Sequence, residues 1–257
     1  MSGRGGIVAR PPEVHHRGDG KLATGRLRPV PVGGPGDQGH DVRSPRPAQN
    51  MPLKTSTPDP AAAAGEPAIS GIAVLEHMAL RYSVGPKFLG PPEPTDAHLR
   101  QAVAVALRAP DHGNLNPFRF VRIAPTQRER LAKLFAQAAA RRGQPAQEIE
   151  RARQRAHNGP ALLALVGRLQ PGIDDVPEQE QWLCIGGGLM NFLNALHLLG
   201  FGAKTLSGTS IADPQIQAAF CEPGEVLLAW IVAGTPTRST HAKRVDDAAH
   251  ALTDWRG

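Results

Sequence analysis

The chain has 257 residues with 28 glycines, 25 prolines and only 4% aromatic residues, a balance that excludes collagen-like, coiled-coil and disulfide-framework classes. Its formal charge is +6, but residues 1–50 alone carry eight Lys/Arg against four acids. With no dense basic run and no interleaved aromatic for base stacking, that charge argues against a nucleic-acid partner.

In chain order, residues 1–70 hold no aromatic residue and run through stretches such as Arg28-Pro29-Val30-Pro31 and Pro58-Asp59-Pro60. Such a segment buries too little apolar surface to offset chain entropy, so 1–70 is expected to be a disordered tail. A tether or targeting peptide is one reading of it; an extension upstream of a start at Met51 is the other. Residues 71–257 then form one domain. Ile72, Leu75, Met78 and Ala79 follow a helical spacing over Ile72–Arg81, and Pro86 to Pro94 reads as a proline-rich connection. Thr95 suits an N-cap for a helix with its stripe at Leu99, Val103, Ala106 and Leu107. Phe118–Ile123 alternates as a strand, and Thr126–Arg141 and Pro145–His157 read as charged helices. Ala161–Val166 is a continuous apolar run that suits a central strand. Glu178–Leu199 is the longest helix. Gly202–Leu206 reads as a strand, Pro214–Phe220 as a helix and Val226–Ala233 as a buried strand, with a fifth strand expected from the tail. This order allows a sheet wrapped by helices on both faces.

Cys184 and Cys221 are too few for a framework or a zinc site and are expected to be reduced packing residues. The apolar stretch from Cys184 to Phe201 contains Asn191, Asn194 and His197, which marks a buried helix and no membrane span. No apolar leader opens the chain, so a cytoplasmic location is expected. The ten histidines form no ligand spacing, so no metal is expected. A Walker loop, a nucleophile elbow and a dinucleotide fingerprint are all missing. Two stretches stand out instead. Arg81-Tyr82-Ser83 closes a helix with a cation and a hydroxyl, which suits a phosphate or simply complements the helix dipole. Arg108 to Phe118 packs two prolines, two asparagines, a histidine and an arginine between a helix and a strand, as a turn or as part of a site. Gly186-Gly187-Gly188 inside a helix points to close approach by another backbone, a dimer-mate helix or a cofactor, or else to a kink.

Together these stretches resemble the FMN-dependent nitroreductase family, in particular its compact single-domain branch of bacterial NAD(P)H nitroreductases. Arg81-Tyr82-Ser83 resembles the family's R-R-S phosphate element. Ala109-Pro110-Asp111-His112-Gly113-Asn114-Leu115-Asn116-Pro117-Phe118 resembles its A-P-S/D-x-x-N-x-Q-P-W loop. Asn158-Gly159-Pro160 is similar to the branch's N-A-P turn, Glu180–Gly202 to its long central helix, and Gly234-Thr235-Pro236 to its closing G-T-P. The resemblance covers about residues 72–240. Tyr82 stands where the element has a second arginine, Phe118 where tryptophan is usual, and Thr205-Leu206 where the branch has Trp-Arg.

The resemblance implies an α+β fold, a mixed and mainly antiparallel sheet flanked by helices, in a homodimer with FMN at the subunit interface. It implies that Arg81, Tyr82 and Ser83 hold the phosphate, with Arg238 as a further phosphate contact. Arg108 and His112 would approach the flavin ring and ribityl chain, and Lys204, Thr205, Leu206, Ser207 and Gly208 would edge the isoalloxazine. The implied activity is two alternating half-reactions. NADH or NADPH delivers hydride to flavin N5, and a small-molecule acceptor (a nitro compound, quinone or activated alkene) then receives it, with no side chain required as acid or nucleophile. A flavin-binding or sensing scaffold with little turnover is the alternative.

Overall fold

The computed structural model describes residues 70–238 and 250–256. The expected disordered tail lies outside the described residues except for Ser70. In chain order the elements are α1 (Gly71–Ala79), β1 (Leu89–Gly90), α2 (Asp96–Ala106), β2 (Phe118–Arg122), α3 (Arg128–Arg141), α4 (Ala146–Arg155), β3 (Ala161–Gly167), α5 (Glu178–Leu198), β4 (Gly202–Leu206), α6 (Pro214–Phe220) and β5 (Val226–Pro236). Local chemistry sets several of their ends. The Thr95 side chain accepts from the His98 amide while the His98 side chain accepts from the Thr95 amide, closing a capping box at α2. Asp213 caps α6 by accepting from the amides of Gln215 and Ile216, with Pro214 at the first helical position.

The five strands form one sheet in the order β1-β5-β3-β2, with β4 also paired to β5, and every strand pairing is antiparallel. All seven residues of β3 are buried, because helices cover both faces. Ala161, Leu163 and Leu165 point into a core with α2 and α5, while Leu162, Ala164 and Val166 point into a second core with α3, α4 and α6. Phe192 stacks on Phe120 at 4.3 Å in the first core. Phe135 meets Trp230 edge-on in the second. The register of β3 against β5 shifts between Leu165 and Val166, where Ala229 and Leu227 are the respective partners. The bulge puts Leu228 and Ala229 on the same side, so both cores stay filled past the irregularity.

Two expectations need correction, and a third gains a local reason. The fifth strand of the described sheet is β1, inside the proline-rich connection; two residues show no periodicity, and pairing with the far end of β5 makes them a strand. Leu107, read as part of a buried stripe, is 50% exposed just past the end of α2. Within this chain the atoms nearest the glycine triplet are side-chain atoms. A Cβ at Gly188 would lie 2.3 Å from the Phe118 ring, one at Gly187 would touch Ala109, and one at Gly186 would meet open space. Gly188 is therefore required by a side chain: it is the slot into which the first aromatic of β2 fits.

Glu225, ahead of β5, is held by the Arg119 guanidinium at 2.8 Å and 2.5 Å and lies 3.2 Å from Arg168. Its hydrogen bond to Arg119 is the main reason its carboxyl drops to about 2, despite burial that opposes ionisation. A lowered folded-state value adds stability above the unfolded value of 4.5 and loses it as pH falls from there toward about 2. Glu225→Gln is expected to cost about 2–3 kcal/mol at neutral pH. Urea denaturation at several pH values should show that cost shrinking between pH ~4.5 and ~2; a cost independent of pH would refute the assignment.

Candidate functional site

The chain leaves α1 with the Arg81 amide bonded to the Met78 carbonyl, and then runs extended beside β4. Ser83 forms a parallel bridge to Ala203, and the Val84 amide donates to the Ala203 carbonyl at 3.1 Å. Gly202 allows this approach: a Cβ there would lie 2.7 Å from Val84 and 2.9 Å from Leu89. The phosphate-like element and β4, 120 residues apart in sequence as measured from Ser83 to Ala203, are thus edge neighbours. Ser83 is exposed, while Arg81 and Tyr82 are half-buried at a small cavity of about 170 Å³ shared with His197 and Gly200. His197 Nε2 lies 2.8 Å from the His77 carbonyl. A carbonyl only accepts, so Nε2 carries the proton and Nδ1 is left as an acceptor.

Along β4 the side chains alternate. Lys204 and Leu206 pair with Val232 and Trp230 on the α3 side, and Thr205 pairs with Ile231 on the α5 side. Two features of this strand ask for a ligand. The Thr205 hydroxyl is buried with no hydrogen-bond partner. Neither Lys204 nor Arg81 has an ion-pair partner among the described residues. Ser207 and Gly208 continue from β4 as exposed loop. Arg238, beyond β5, stacks 3.3 Å from the centroid of the Phe88 ring, with Lys87 at 4.8 Å from the same ring. The Thr237 amide donates to the Phe88 carbonyl, which ties the end of β5 to the turn after the phosphate-like element.

The loop after α2 is built by its own polar residues. Asp111 accepts from the amides of Leu115 and Asn116 at 3.1 and 2.8 Å. Gly113, Asn114 and Asn116 adopt φ of 75°, 52° and 50°, where glycine and asparagine are tolerated best. The turn reading therefore holds for Asp111 and the asparagines, while Arg108 and His112 remain exposed. His112 Nδ1 lies 2.8 Å from the Glu180 carboxylate in the first turn of α5.

Within one chain the predicted site residues form two groups. Ser83 bridges Ala203 where β4 begins, at the C-terminal end of α5; Lys204, Thr205 and Leu206 follow along the strand, Ser207 and Gly208 stand past its far end, and Arg238 lies past the end of β5 that adjoins the start of β4. His112 sits at the other end, against Glu180, while Arg108 lies beside the middle of α5, where a Cβ at Gly187 would touch Ala109 and the Asn191 side chain donates to the Val105 carbonyl. Along the helix His197 is about 26 Å from Glu180 and about 15 Å from Gly187, so one chain does not bring the groups together. The face of α5 between them is open and apolar: Leu183 is 75%, Met190 45% and Leu198 50% exposed. Sequence reasoning passed over Lys87, Glu180 and the neighbourhood of His197. For Lys87 the available signal was a cation four residues after Ser83; for Glu180 there was none, since its pairing with His112 spans 68 residues.

Other chemistry finds little support here. Burial pushes the Cys184 thiol up, away from the thiolate a nucleophile needs. Among the described residues no group of three or more His, Cys, Asp or Glu could hold a metal, and no helix is long and apolar enough to cross a membrane.

The nitroreductase family model matches residues 78–235. An Escherichia coli K12 protein named "Putative NAD(P)H nitroreductase YdjA" is 29% identical over 149 residues, covering 58% of this chain and 81% of the relative. A Haemophilus influenzae protein named "Putative NAD(P)H nitroreductase" is 28% identical over 150 residues, covering 58% of this chain and 82% of its own. A nitroreductase-like protein from Bacillus cereus shares the fold with a TM-score of 0.59 at 17% identity, over 75% of this chain and all (100%) of that one. The FMN and NADPH-dependent nitroreductase NfnB from sphigopyxis sp. strain HMH, in its Y88F form, reaches a TM-score of 0.53 at 18% identity, over 72% and 99%.

Proposed function

The chain belongs to the nitroreductase family, and from that premise we propose that it is an FMN-dependent NAD(P)H oxidoreductase acting on nitro compounds, quinones or activated alkenes. The observation that carries this reading is the bridge between Ser83 and Ala203. It sets a cation and an exposed hydroxyl beside a strand that holds a second cation and a buried hydroxyl, the two cations without an ion-pair partner and the buried hydroxyl without a hydrogen-bond partner among the described residues. That donor set fits FMN: Arg81 and Ser83 would hold its phosphate, and the segment from Lys204 to Gly208 would edge the flavin through backbone and side-chain contacts. Bound FMN would accept hydride from NADH or NADPH and return it to the acceptor.

The chain's own residues supply binding, orientation and charge. Arg238 is pre-positioned by Phe88, so it can add a phosphate contact with little further ordering. His112 donates Nδ1–H to Glu180, which fixes the ring and leaves Nε2 for a ligand. Since these two groups stand apart along α5, a complete site would draw on two chains: Arg81, Ser83 and the β4 loop of one, with Arg108 and His112 of the partner subunit. Antiparallel packing of two α5 helices over Leu183, Met190 and Leu198 would meet that geometry and cover the apolar face.

The test is direct. The purified full chain incubated with FMN is expected to retain a yellow flavin spectrum after desalting, and anaerobic NADH or NADPH should bleach it. A nitroaromatic or quinone should then restore the colour. A chain that stays colourless, or a bound flavin that neither nucleotide bleaches, would refute the reading.

A further inference from the structure

The chain holds a single Asn-Gly pair, Asn158-Gly159, and it stands in the turn between α4 and β3. In such a pair the glycine nitrogen can close on the side-chain amide carbon of the asparagine, because no Cβ shields the approach. A folded chain suppresses this reaction when it ties up either group in a hydrogen bond. Here neither is tied: the Asn158 side chain has no partner and the Gly159 amide no acceptor among the described residues. Other asparagines differ. The Asn116 side chain donates to the Asn114 carbonyl and that of Asn191 to the Val105 carbonyl, and Pro117 and Phe192 follow them.

Two cations converge on the pair. The buried Arg128 guanidinium donates to the carbonyls of Ala156 and Pro160 at 2.8 Å each and reaches the Asn158 carbonyl at 3.5 Å. That carbonyl and the Gly159 N–H belong to one peptide unit. Charge that develops when the amide ionises is therefore shared with an oxygen that faces the guanidinium. The second cation comes from α4, which carries Arg151, Arg153 and Arg155 in its last two turns. Arg151 is paired with Glu148 and Arg153 with Glu129, while Arg155 has no acidic partner among the described residues. Arg155 and Asn158 line a cleft of about 410 Å³ that opens the asparagine side chain to water, and no carboxylate lines it. Gly159 itself is fixed by the turn, with φ of 68° and Val232 at 3.4 Å from where a Cβ would stand.

We propose that Asn158 is a site of spontaneous deamidation in the folded chain, assisted by Arg128 and Arg155. The Gly159 N–H gives up its proton, its nitrogen bonds to Asn158 Cγ, and the bond from Cγ to the side-chain nitrogen breaks. That nitrogen takes a proton and leaves as ammonia, which closes a succinimide. Water then opens the ring at Cγ to give aspartate, or at the main-chain carbonyl to give isoaspartate. No oxidant or reductant enters. Either product sets a carboxylate beside two guanidinium groups that lack one. Isoaspartate also adds a backbone atom just ahead of β3, whose seven residues are all buried, so that form should unfold first.

The experiment holds the purified full chain in mildly alkaline buffer, native and in urea, with peptide mapping by mass spectrometry and isoaspartyl methyltransferase labelling over time. Conversion is expected at Asn158 and at no other described asparagine, in proportion to hydroxide, with a native rate within about threefold of that in urea. Arg155→Gln should slow native conversion about threefold and leave the rate in urea unchanged, because the cation acts only while the fold holds it there. Arg151→Gln, already paired, should change neither. Native conversion more than about tenfold slower than in urea would overturn the proposal, since the turn would then protect the pair. So would an Arg155→Gln chain that converts at the parent rate. The test needs no flavin, and neither outcome bears on the flavin reading.

Discussion

Met190→Glu is expected to leave the protein monomeric and unable to retain FMN. Met190 stands midway along the exposed stripe of α5, between Leu183 and Leu198, and is itself 45% exposed. Ile72 and Leu75 of α1 extend the apolar surface at 70% and 66% exposure. In a twofold interface a residue near the centre faces its own copy, so one substitution buries two carboxylates against each other. Unpaired buried charge costs several kcal/mol per ion, enough to weaken dimerisation by at least about a hundredfold. Because His112 lies about 26 Å and Arg108 about 15 Å along α5 from the Arg81 end, the monomer would keep only part of the site. Sedimentation velocity with detection at the flavin band reads both effects at once. A dimer that persists with Met190→Glu, or a monomeric parent that holds FMN, would defeat the proposed assembly.

Arg81→Ala should weaken FMN binding by about 30- to 100-fold, since a charge-assisted contact to phosphate is lost and no second arginine stands at position 82 to replace it. Arg81→Lys should recover part of the loss as a point charge without the fork. Ser83→Ala removes a neutral hydroxyl and is expected to cost only about three- to tenfold. Quenching of FMN fluorescence on titration gives these affinities. Thermal unfolding of the flavin-free variants should match the parent, because Arg81 makes no side-chain ion pair among the described residues. An Arg81→Ala protein that binds FMN as the parent does would remove the phosphate assignment.

Much of the fold was legible because its signals are local. The bounds of β4 and α6 follow from Gly202, Leu206, Pro214 and Phe220 as read from the chain, and α5 differs by one residue at its C-terminal end. Thr95 caps α2 as its position before the apolar stripe predicts. The misses share a cause. β1 exists because Leu89 and Gly90 find Pro236 and Thr235 across the sheet. Gly188 is a glycine because Phe118, seventy residues away by the numbering, needs the space of its Cβ. Neither contact leaves a periodic trace in the chain.

The site divides in the same way. Motif order along the chain was sufficient to determine the family and the turn that Asp111, Gly113 and the two asparagines build, and it supplied the residues proposed for a phosphate and a flavin edge. Each rests on residues within a few positions of one another, where spacing and backbone preference carry the information. Only the tertiary structure decided that Ser83 lies against Ala203, that α5 holds Arg108 and His112 apart from them, and that Arg155 alone of the three α4 arginines is left without a carboxylate among the described residues. Those facts depend on which side chains meet across tens of residues, and Coulomb pairing and packing act through space with no regard for distance along the chain.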